Sequence, residues 1–252
     1  MFFDSVVLIT GAASGIGLGT AKMFIEQNAT VIGCDIDEEA LDRCQDELGK
    51  NFIGKKCDMG SADDIERLYQ EFSASFGKLD IIVNNAGATP WVGIEDIAES
   101  EIDTCMSVNI KGPILLVKHF AKLLRKSSNP SVVNIASIAA IIDGPDDIIY
   151  GITKAGIDKY TRALTRNLPG IRTNTILPGL IQTPVIEKTR GKQGAVDFSN
   201  AVKEMCPCGR IGTVEDIANC VLFLSSDKAT YINGASITVD GGVSRSMGWF
   251  GS

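Results

Sequence analysis

The sequence Val6-Val7-Leu8-Ile9-Thr10-Gly11-Ala12-Ala13-Ser14-Gly15-Ile16-Gly17 joins an apolar, β-branched run to a glycine-rich turn and then to a helical pattern. This order predicts a buried strand, a tight loop and the N-terminus of a helix. Gly11 permits the turn, Gly15 lets the backbone approach a phosphate, and Gly17 lets the helix pack closely on the strand. Unpaired N–H groups and the helix dipole make such a turn a site for a pyrophosphate. A glycine cluster can also belong to an ordinary loop, so the rest of the chain must decide whether this turn binds a nucleotide.

Composition and charge narrow the class of protein. The chain has 252 residues, of which 44% are hydrophobic, and its mean hydropathy is +0.13. These values predict one domain with a large core. A net charge of −7 and an isoelectric point near 4.8 argue against nucleic acid or an anionic membrane as the main partner. Because a strand begins near residue 6 and no apolar run reaches membrane-spanning length, we predict a cytoplasmic protein.

The seven cysteines are scattered, which is not the pattern of a disulfide framework, and a reducing compartment is therefore expected. Cys206-Pro207-Cys208 contains the one close pair. The only histidine, His119, lies far from it in sequence, which argues against a zinc site. We predict no metal, and a loop or packing role for the pair.

Strand and helix patterns alternate along the whole chain. The predicted strands cover residues 6–10, 30–34, 51–57, 79–83, 131–136, 172–177 and 236–239. Helical patterns fill the intervals, including one long helix over 99–126 and another over 150–168, whereas 180–208 is polar and less regular. Right-handed crossovers between such elements give an α/β fold, a Rossmann-type doubly wound parallel sheet of about seven strands in a single domain, 1–252.

In such sheets, ligands bind beyond the carboxyl ends of the strands, and polar or glycine-rich residues follow the predicted strands. Asp35 ends strand two, about twenty residues beyond the glycines, where a carboxylate can bind a ribose diol and repel a 2′-phosphate. The alternative is a helix N-cap, because Asp35-Ile36-Asp37 precedes a helix. We favour the ribose role. Asp58 after strand three contacts an adenine edge or caps the next helix, and both interpretations stay open.

Asn84 and Asn85 end strand four, where buried amides need hydrogen-bond partners. We interpret them as structural ties between strands, with Ala86 and Gly87 leaving room for a cofactor.

Tyr150-Gly151-Ile152-Thr153-Lys154 contains the acid–base candidate, since Tyr150 and Lys154 lie one helical turn apart on the same face. A nearby ammonium favours the phenolate and is expected to lower the pKa of the tyrosine. Ser137, at the end of strand five, can donate a hydrogen bond to a carbonyl or alkoxide. In isolation a Tyr-x-x-x-Lys pattern is usually a solvated helix face, but beside the glycine turn this becomes the minority interpretation.

Taken together, these motifs resemble the short-chain dehydrogenase/reductase family over essentially the whole chain. The residues that carry the resemblance are 10–17, 84–87, Asn109 in Ser-Val-Asn-Ile-Lys-Gly, Ser137, Tyr150 with Lys154, 178–179 and 239–242. The resemblance implies that Tyr150 exchanges a proton with the substrate and that Lys154 binds the nicotinamide ribose and tunes Tyr150. It also implies that Ser137 positions the substrate oxygen and that Asn109 holds a water in a proton relay.

The cofactor implied by the resemblance is a nicotinamide dinucleotide, and Asp35 favours NAD over NADP. The implied cofactor-binding residues are Gly11, Ser14, Gly15, Ile16, Gly17, Asp35, Asp58, Met59, Asn85, Ala86, Gly87, Tyr150, Lys154, Pro178, Gly179, Ile181 and Thr183.

The predicted function is interconversion of a secondary alcohol and a ketone by hydride transfer, with a small-molecule substrate. The alternatives are an NADPH-dependent ketone or 3-oxoacyl reductase and a non-catalytic dinucleotide sensor. The resemblance implies a homotetramer, with a dimer second, and 180–208 is the expected substrate lid. Trp91 forms a pocket wall or packs in the core, and Asp143, Asp146 and Asp147 contact a polar substrate or form a solvated turn, the latter being favoured.

Overall fold

A computed structural model describes residues 2–144 and 147–246; within these ranges the side chains of Val185 and of residues 187–190 lie outside the description. One parallel sheet carries the fold, in the order β3-β2-β1-β4-β5-β6-β7. Its strands are β1 (Val6–Thr10), β2 (Thr30–Asp35), β3 (Phe52–Lys56), β4 (Ile81–Asn84), β5 (Ser131–Ile135), β6 (Arg172–Pro178) and β7 (Ser236–Val239). The predicted doubly wound sheet is confirmed. The chain reverses direction across the sheet between β1 and β4, which opens a crevice at their carboxyl ends.

Helices cover both faces of this sheet. They are α1 (Gly15–Glu26), α2 (Glu38–Leu48), α3 (Ala62–Ser75), α4 (Glu99–Met106), α5 (Gly112–Leu124), α6 (Ile148–Asn167), α7 (Pro184–Met205), α8 (Val214–Ser225) and α9 (Val243–Ser246). None of the described helices is long and apolar enough to span a bilayer.

The core has two halves because successive side chains of a strand point to opposite faces. Val7 and Ile9 of β1 belong to a buried cluster with Phe24 of α1, on one face. Leu8 belongs to a second cluster with Phe120 of α5, on the other. Burial on both faces explains why the strands read as continuous apolar runs.

Two segments differ from the sequence-based prediction. The predicted helix over 99–126 is divided, because Ser107–Lys111 between α4 and α5 is a π-helix. The stretch 180–208, predicted to be less regular than the others, contains the 22-residue α7, which is interrupted at Gly191, where φ is +70°. A residue with this φ cannot continue a right-handed helix, so α7 changes direction there.

Candidate functional site

A cleft of about 490 Å³ lies across the carboxyl ends of β1, β2 and β4. The predicted residues that line it are Gly11, Ser14, Gly15, Ile16, Asp35, Asp58, Met59, Asn85, Ala86, Gly87 and Thr183. They come from five separate stretches of the chain, and the sheet topology brings them together.

The glycine-rich turn forms the centre of this cleft. Gly11 and Gly15 have φ of +65° and +52°, which L side chains rarely adopt. A Cβ on Gly17 would lie 2.1 Å from the carbonyl oxygen of Gly11, so this glycine permits the close helix–strand contact. Gly17, which was predicted to bind the cofactor, does not line the cleft. The Ser14 side chain does not cap α1, which leaves the first N–H groups of the helix for an anion.

Asn85 fixes the same turn from β4. Its side-chain amide donates to the carbonyl oxygens of Thr10 and Gly11, at 2.9 and 3.1 Å. Asn84 instead donates to Asn134 of β5 at 2.7 Å. Both amides therefore tie strands and turns together, as predicted from their burial.

Asp35 is not a helix cap. Asp37 caps α2 by accepting the N–H of Ala40 at 3.0 Å. The Asp35 carboxylate accepts N–H groups of Ala13, at 3.1 Å, and of Asp37, at 3.2 Å, and lies at the cleft wall. Its charge is therefore held at a fixed place beside the glycine turn.

Asp58 is likewise not the cap of the next helix, because Ser61 caps α3 by accepting the N–H of Asp64 at 3.2 Å. Asp64 does not complete a capping box with Ser61, since its carboxylate accepts the N–H of Asp58 at 3.0 Å. The Asp58 carboxylate accepts the N–H of Gly60 at 2.7 Å and lines the cleft.

A second cavity, of about 690 Å³, adjoins the first and shares Ile16, Asn85, Gly87 and Thr183 with it. It contains six further predicted residues, Ser137, Tyr150, Lys154, Pro178, Gly179 and Ile181. The two cavities thus form one continuous space.

Tyr150, Ser137 and Lys154 come together in the second cavity, and the Lys154 Nζ lies 3.5 Å from the point where a Cβ on Gly87, a residue of both cavities, would lie. Tyr150 is hydrogen-bonded to Ser137, whose oxygen also accepts the N–H of Ala139 at 3.1 Å. The Lys154 Nζ donates to the carbonyl oxygen of Ile135 at 2.9 Å and lies 5.3 Å from the centre of the Tyr150 ring.

The expected lowering of the tyrosine pKa is not found. Burial raises the pKa of Tyr150 to about 12, and the hydrogen bond from Ser137 offsets this only in part. Burial also lowers the pKa of Lys154 to about 8. Lys154 contacts a carbonyl oxygen and the ring, rather than the phenolic oxygen, so its charge does not favour the phenolate.

Asn109 lines neither cavity, because its side chain is buried behind them. Its amide oxygen accepts the N–H of Ala88 at 2.8 Å, and its amide nitrogen donates to the Ala88 carbonyl at 2.8 Å and to Thr153 at 2.9 Å. The side chain is thus committed to protein contacts. The π-helix that contains Asn109 explains its inward placement, because the extra residue in the turn rotates this position out of regular helical register.

Thr183 connects the second cavity to the glycine turn. It is the N-cap residue of α7, and its methyl carbon would lie 3.5 Å from a Cβ on Gly15. Pro178 ends β6 and pairs with Val239, while Gly179 is required because a Cβ there would lie 2.6 Å from that of Asp240.

Trp91 is a cavity wall rather than a core residue. It is 60% exposed, lines the second cavity, and its ring centre lies 6.1 Å from that of Tyr150. Thr89, predicted with Trp91 as part of one pocket wall, lines this cavity as well. Leu180, Ile186 and Phe198, from the stretch predicted as the substrate lid, also line it. The sequence shows which positions of 180–208 are apolar. It does not show which of them face the cavity, because that depends on how α7 bends.

The acidic segment before Tyr150 supports the turn interpretation. The Asp147 carboxylate accepts the N–H of Gly144 at 3.1 Å and does not line the second cavity, and Asp143 is exposed. Asp146 lies outside the described residues. Within the described part of the chain, no three His, Cys, Asp or Glu side chains are grouped to hold a metal.

Known proteins resemble this chain over nearly its whole length. A family model described as "Enoyl-(Acyl carrier protein) reductase" matches residues 11–244. The 3-oxoacyl-[acyl-carrier-protein] reductase FabG of Thermotoga maritima is 35% identical over 94% of this chain and 97% of its own. The NAD-dependent glycerol dehydrogenase of Listeria innocua is 32% identical over 95% of this chain and 93% of its own.

Solved structures agree with these relatives. A Brucella melitensis structure titled as a short-chain dehydrogenase/reductase, glucose/ribitol dehydrogenase, has a TM-score of 0.89 and 30% identity. The match covers 96% of this chain and 98% of that one. The chain therefore belongs to the short-chain dehydrogenase/reductase family, whose members bind nicotinamide dinucleotides, and it is an oxidoreductase acting on CH–OH groups.

Proposed function

We propose that this protein interconverts a secondary alcohol and a ketone with NAD(H). The observation that carries the proposal is that Ser137, Tyr150 and Lys154 line the second cavity together, next to the dinucleotide cleft. The cleft fits the cofactor, because the open α1 N-terminus suits a pyrophosphate and Asp35 suits a ribose. When bound, the nicotinamide accepts or supplies the hydride.

The protein's own residues handle the proton and the substrate oxygen. During ketone reduction, the neutral Tyr150 phenol donates its proton to the oxygen, and in alcohol oxidation the phenolate accepts it. Ser137 hydrogen-bonds the same oxygen and holds it near Tyr150. The Lys154 ammonium lies 5.3 Å from the centre of the Tyr150 ring and would bind ribose hydroxyls of the cofactor. Asn109 holds the Ala88 backbone and Thr153 in place.

The charge of the cleft favours NAD over NADP. Asp35 and Asp58 line it, and among the described lining residues there is no lysine or arginine to neutralise a 2′-phosphate. Similarity to the FabG relative supports an NADPH-dependent 3-oxoacyl reductase as the second candidate function. The negative charge of Asp35 disfavours it. The third candidate function is a non-catalytic dinucleotide sensor. Such a protein would not need Ser137, Tyr150 and Lys154 together.

The lining of the second cavity favours an uncharged, apolar alcohol with a ring. Trp91, Leu180, Ile186 and Phe198 give the wall large apolar side chains, and Lys154 is the only charged group among the described lining residues. An aromatic or alicyclic substrate packs on Trp91 above Tyr150, with α7 as the lid over it. We further propose that the protein is cytoplasmic and forms a homotetramer. The exposed Met106, Ile114 and Ile152 on α4, α5 and α6 support the association between copies.

The test is reduction of NAD or NADP over a panel of secondary alcohols, comparing cyclic and aryl alcohols with polyols and hydroxy acids. We expect turnover with NAD and a cyclic alcohol, and at least a thousandfold loss in Tyr150→Phe, with NADH binding measured by titration unchanged. Residual activity close to that of the parent protein would exclude Tyr150 as the acid–base group. Intact NADH binding without any turnover across the panel would favour the sensor.

A further inference from the structure

A pair of thiols lies at the C-terminal end of α7, and nothing in the proposed reaction uses it. Cys206 is the C-cap residue of α7 and is buried, whereas Cys208, two residues later, is exposed. The N–H of Gly209 donates to the carbonyl oxygen of Cys206 at 2.7 Å, which closes a turn around Pro207. The pair is therefore held in a defined bend of the chain rather than in an extended loop.

The two sulfur atoms lie against the same backbone segment. From the point where a Cβ on Gly241 would lie, the Sγ atoms of Cys206 and Cys208 are 2.5 and 3.7 Å away, so the sulfurs are at most about 6 Å apart. Two peptide links limit the Cα separation to about 7.6 Å, and the turn shortens it towards the disulfide range of about 4.4–6.8 Å. A rotation of side chains can therefore join the sulfurs.

The surroundings favour reaction at this pair over the other cysteines. Cys208 is exposed, so a dissolved reagent reaches its sulfur directly. A cavity of about 210 Å³ lined by both cysteines gives the sulfurs room to move. Burial, by contrast, raises the pKa of the thiols at the remaining positions, Cys34, Cys44, Cys57, Cys105 and Cys220.

We propose that Cys206 and Cys208 are a dithiol modification site that a small disulfide such as glutathione disulfide oxidises to an intramolecular disulfide. The exposed Cys208 thiolate attacks the reagent, forms a mixed disulfide and releases one glutathione thiolate. The Cys206 thiolate then attacks the Cys208 sulfur and releases the second glutathione. The two thiol protons end on the two glutathione molecules, which are reduced while the protein is oxidised.

The disulfide changes the packing of α7. Cys206 belongs to a buried cluster with Ile138, Val202 and Val243, against which Leu180 and Phe198 also pack. Leu180 and Phe198 line the second cavity, so withdrawing the Cys206 sulfur from this cluster disturbs the substrate wall. Neither cysteine lines the dinucleotide cleft, which is left unchanged.

The site can be tested without an activity assay. Trypsin cleaves after Lys203 and Arg210, which isolates both cysteines in one peptide, 204–210. After treatment with glutathione disulfide and alkylation of free thiols, we expect this peptide to lack two hydrogens and carry no alkyl group, reversibly with dithiothreitol. Cys208→Ser abolishes the product and Cys220→Ser, the matched control, retains it. A persistent glutathione adduct on Cys208, or two alkylated cysteines, overturns the proposal.

The effect on the substrate rests on the proposed function and is measured separately. In the oxidised protein we expect the KM for the alcohol to rise at least threefold while the KM for NAD is unchanged, and Cys208→Ser to show neither change. A disulfide that forms without altering the alcohol KM overturns the coupling to α7. Absence of any dehydrogenase activity, with the disulfide present, overturns the proposed function and leaves the dithiol site standing.

Discussion

Lys154 is buried with only 5% of its surface exposed, and its ammonium group faces a carbonyl oxygen rather than a carboxylate. Such a group costs stability, because burial disfavours its charged form and lowers the pKa of Lys154 to about 8, from an ordinary value of 10.5. The unfolded chain therefore binds more protons than the folded one between these two values. The penalty is full below pH 8 and disappears as the pH rises towards 10.5.

We predict that Lys154→Met is more stable than the parent protein at pH 7 by an amount that shrinks with rising pH. Between pH 7 and pH 10 the advantage should fall by about 2 kcal/mol, since the parent regains stability as Lys154 loses its proton in the folded state. Urea unfolding of the cofactor-free proteins measures this difference. Lys159→Met, at an exposed position on the same helix, should show no such change. A pH-independent difference would contradict the buried-charge explanation.

Asp35 is the residue that we expect to decide between the two cofactors. Its carboxylate is held in place by two backbone N–H groups, so its negative charge meets a 2′-phosphate directly. Asp35→Asn should lower the ratio of kcat/KM for NAD to that for NADP at least tenfold, by removing repulsion and weakening the ribose contact. Steady-state kinetics with both cofactors measures it. Asp37→Asn removes the same charge two residues away and should leave the ratio unchanged.

At the scale of elements, α1 can pack closely on the glycine turn only because Gly17 has no side chain. A Cβ on Gly17 would lie 2.1 Å from the Gly11 carbonyl oxygen, so Gly17→Ala must push the helix away from β1 and the turn. We expect a loss of about 1–3 kcal/mol in the free energy of unfolding, together with at least tenfold weaker NADH binding. Urea unfolding and fluorescence titration measure the two effects. At Gly77 nothing lies within 4 Å, so Gly77→Ala is the control and should change neither.

The elements also show what a sequence can and cannot reveal. Residues 6–17 predict β1, its turn and α1, because β-branched runs and glycines have local conformational causes. The π-helix around Asn109 escapes prediction, since one extra residue in a turn leaves the apolar pattern of 99–126 unchanged. The direction of the Tyr150 pKa shift also escapes prediction. It depends on burial by distant parts of the chain, and the four-residue spacing to Lys154 does not indicate how deeply Tyr150 is buried.

At the scale of the whole molecule, Arg172 links elements at the amino ends of the strands, away from the cleft. It is 8% exposed, and its guanidinium donates to the carbonyl oxygens of Leu224, Ser226 and Ala229 and to the side chain of Asn129. One side chain thus links the end of α8, the turn that follows it and the loop before β5.

We predict that Arg172→Met lowers the free energy of unfolding by about 3 kcal/mol, because buried carbonyl groups lose their donors. Its kcat should stay within twofold of the parent value at a temperature where the variant is folded, since no part of the site is touched. Chemical denaturation and initial rates give the two numbers. The exposed Arg125 donates to a single carbonyl, that of Pro169, and Arg125→Met should cost less than 1 kcal/mol. A comparable loss in both variants would contradict the role given to burial.

The position of Trp91 has an optical consequence. Trp91 and Trp249 are the only tryptophans in the chain, and Trp91 stands at the wall shared with Tyr150. Indole emission overlaps the absorption band of reduced nicotinamide, so a dinucleotide held in the adjoining cleft is an energy acceptor for an excited Trp91. The protein therefore carries its own donor fluorophore, and arrival of NADH can be followed as quenched indole emission without any attached dye.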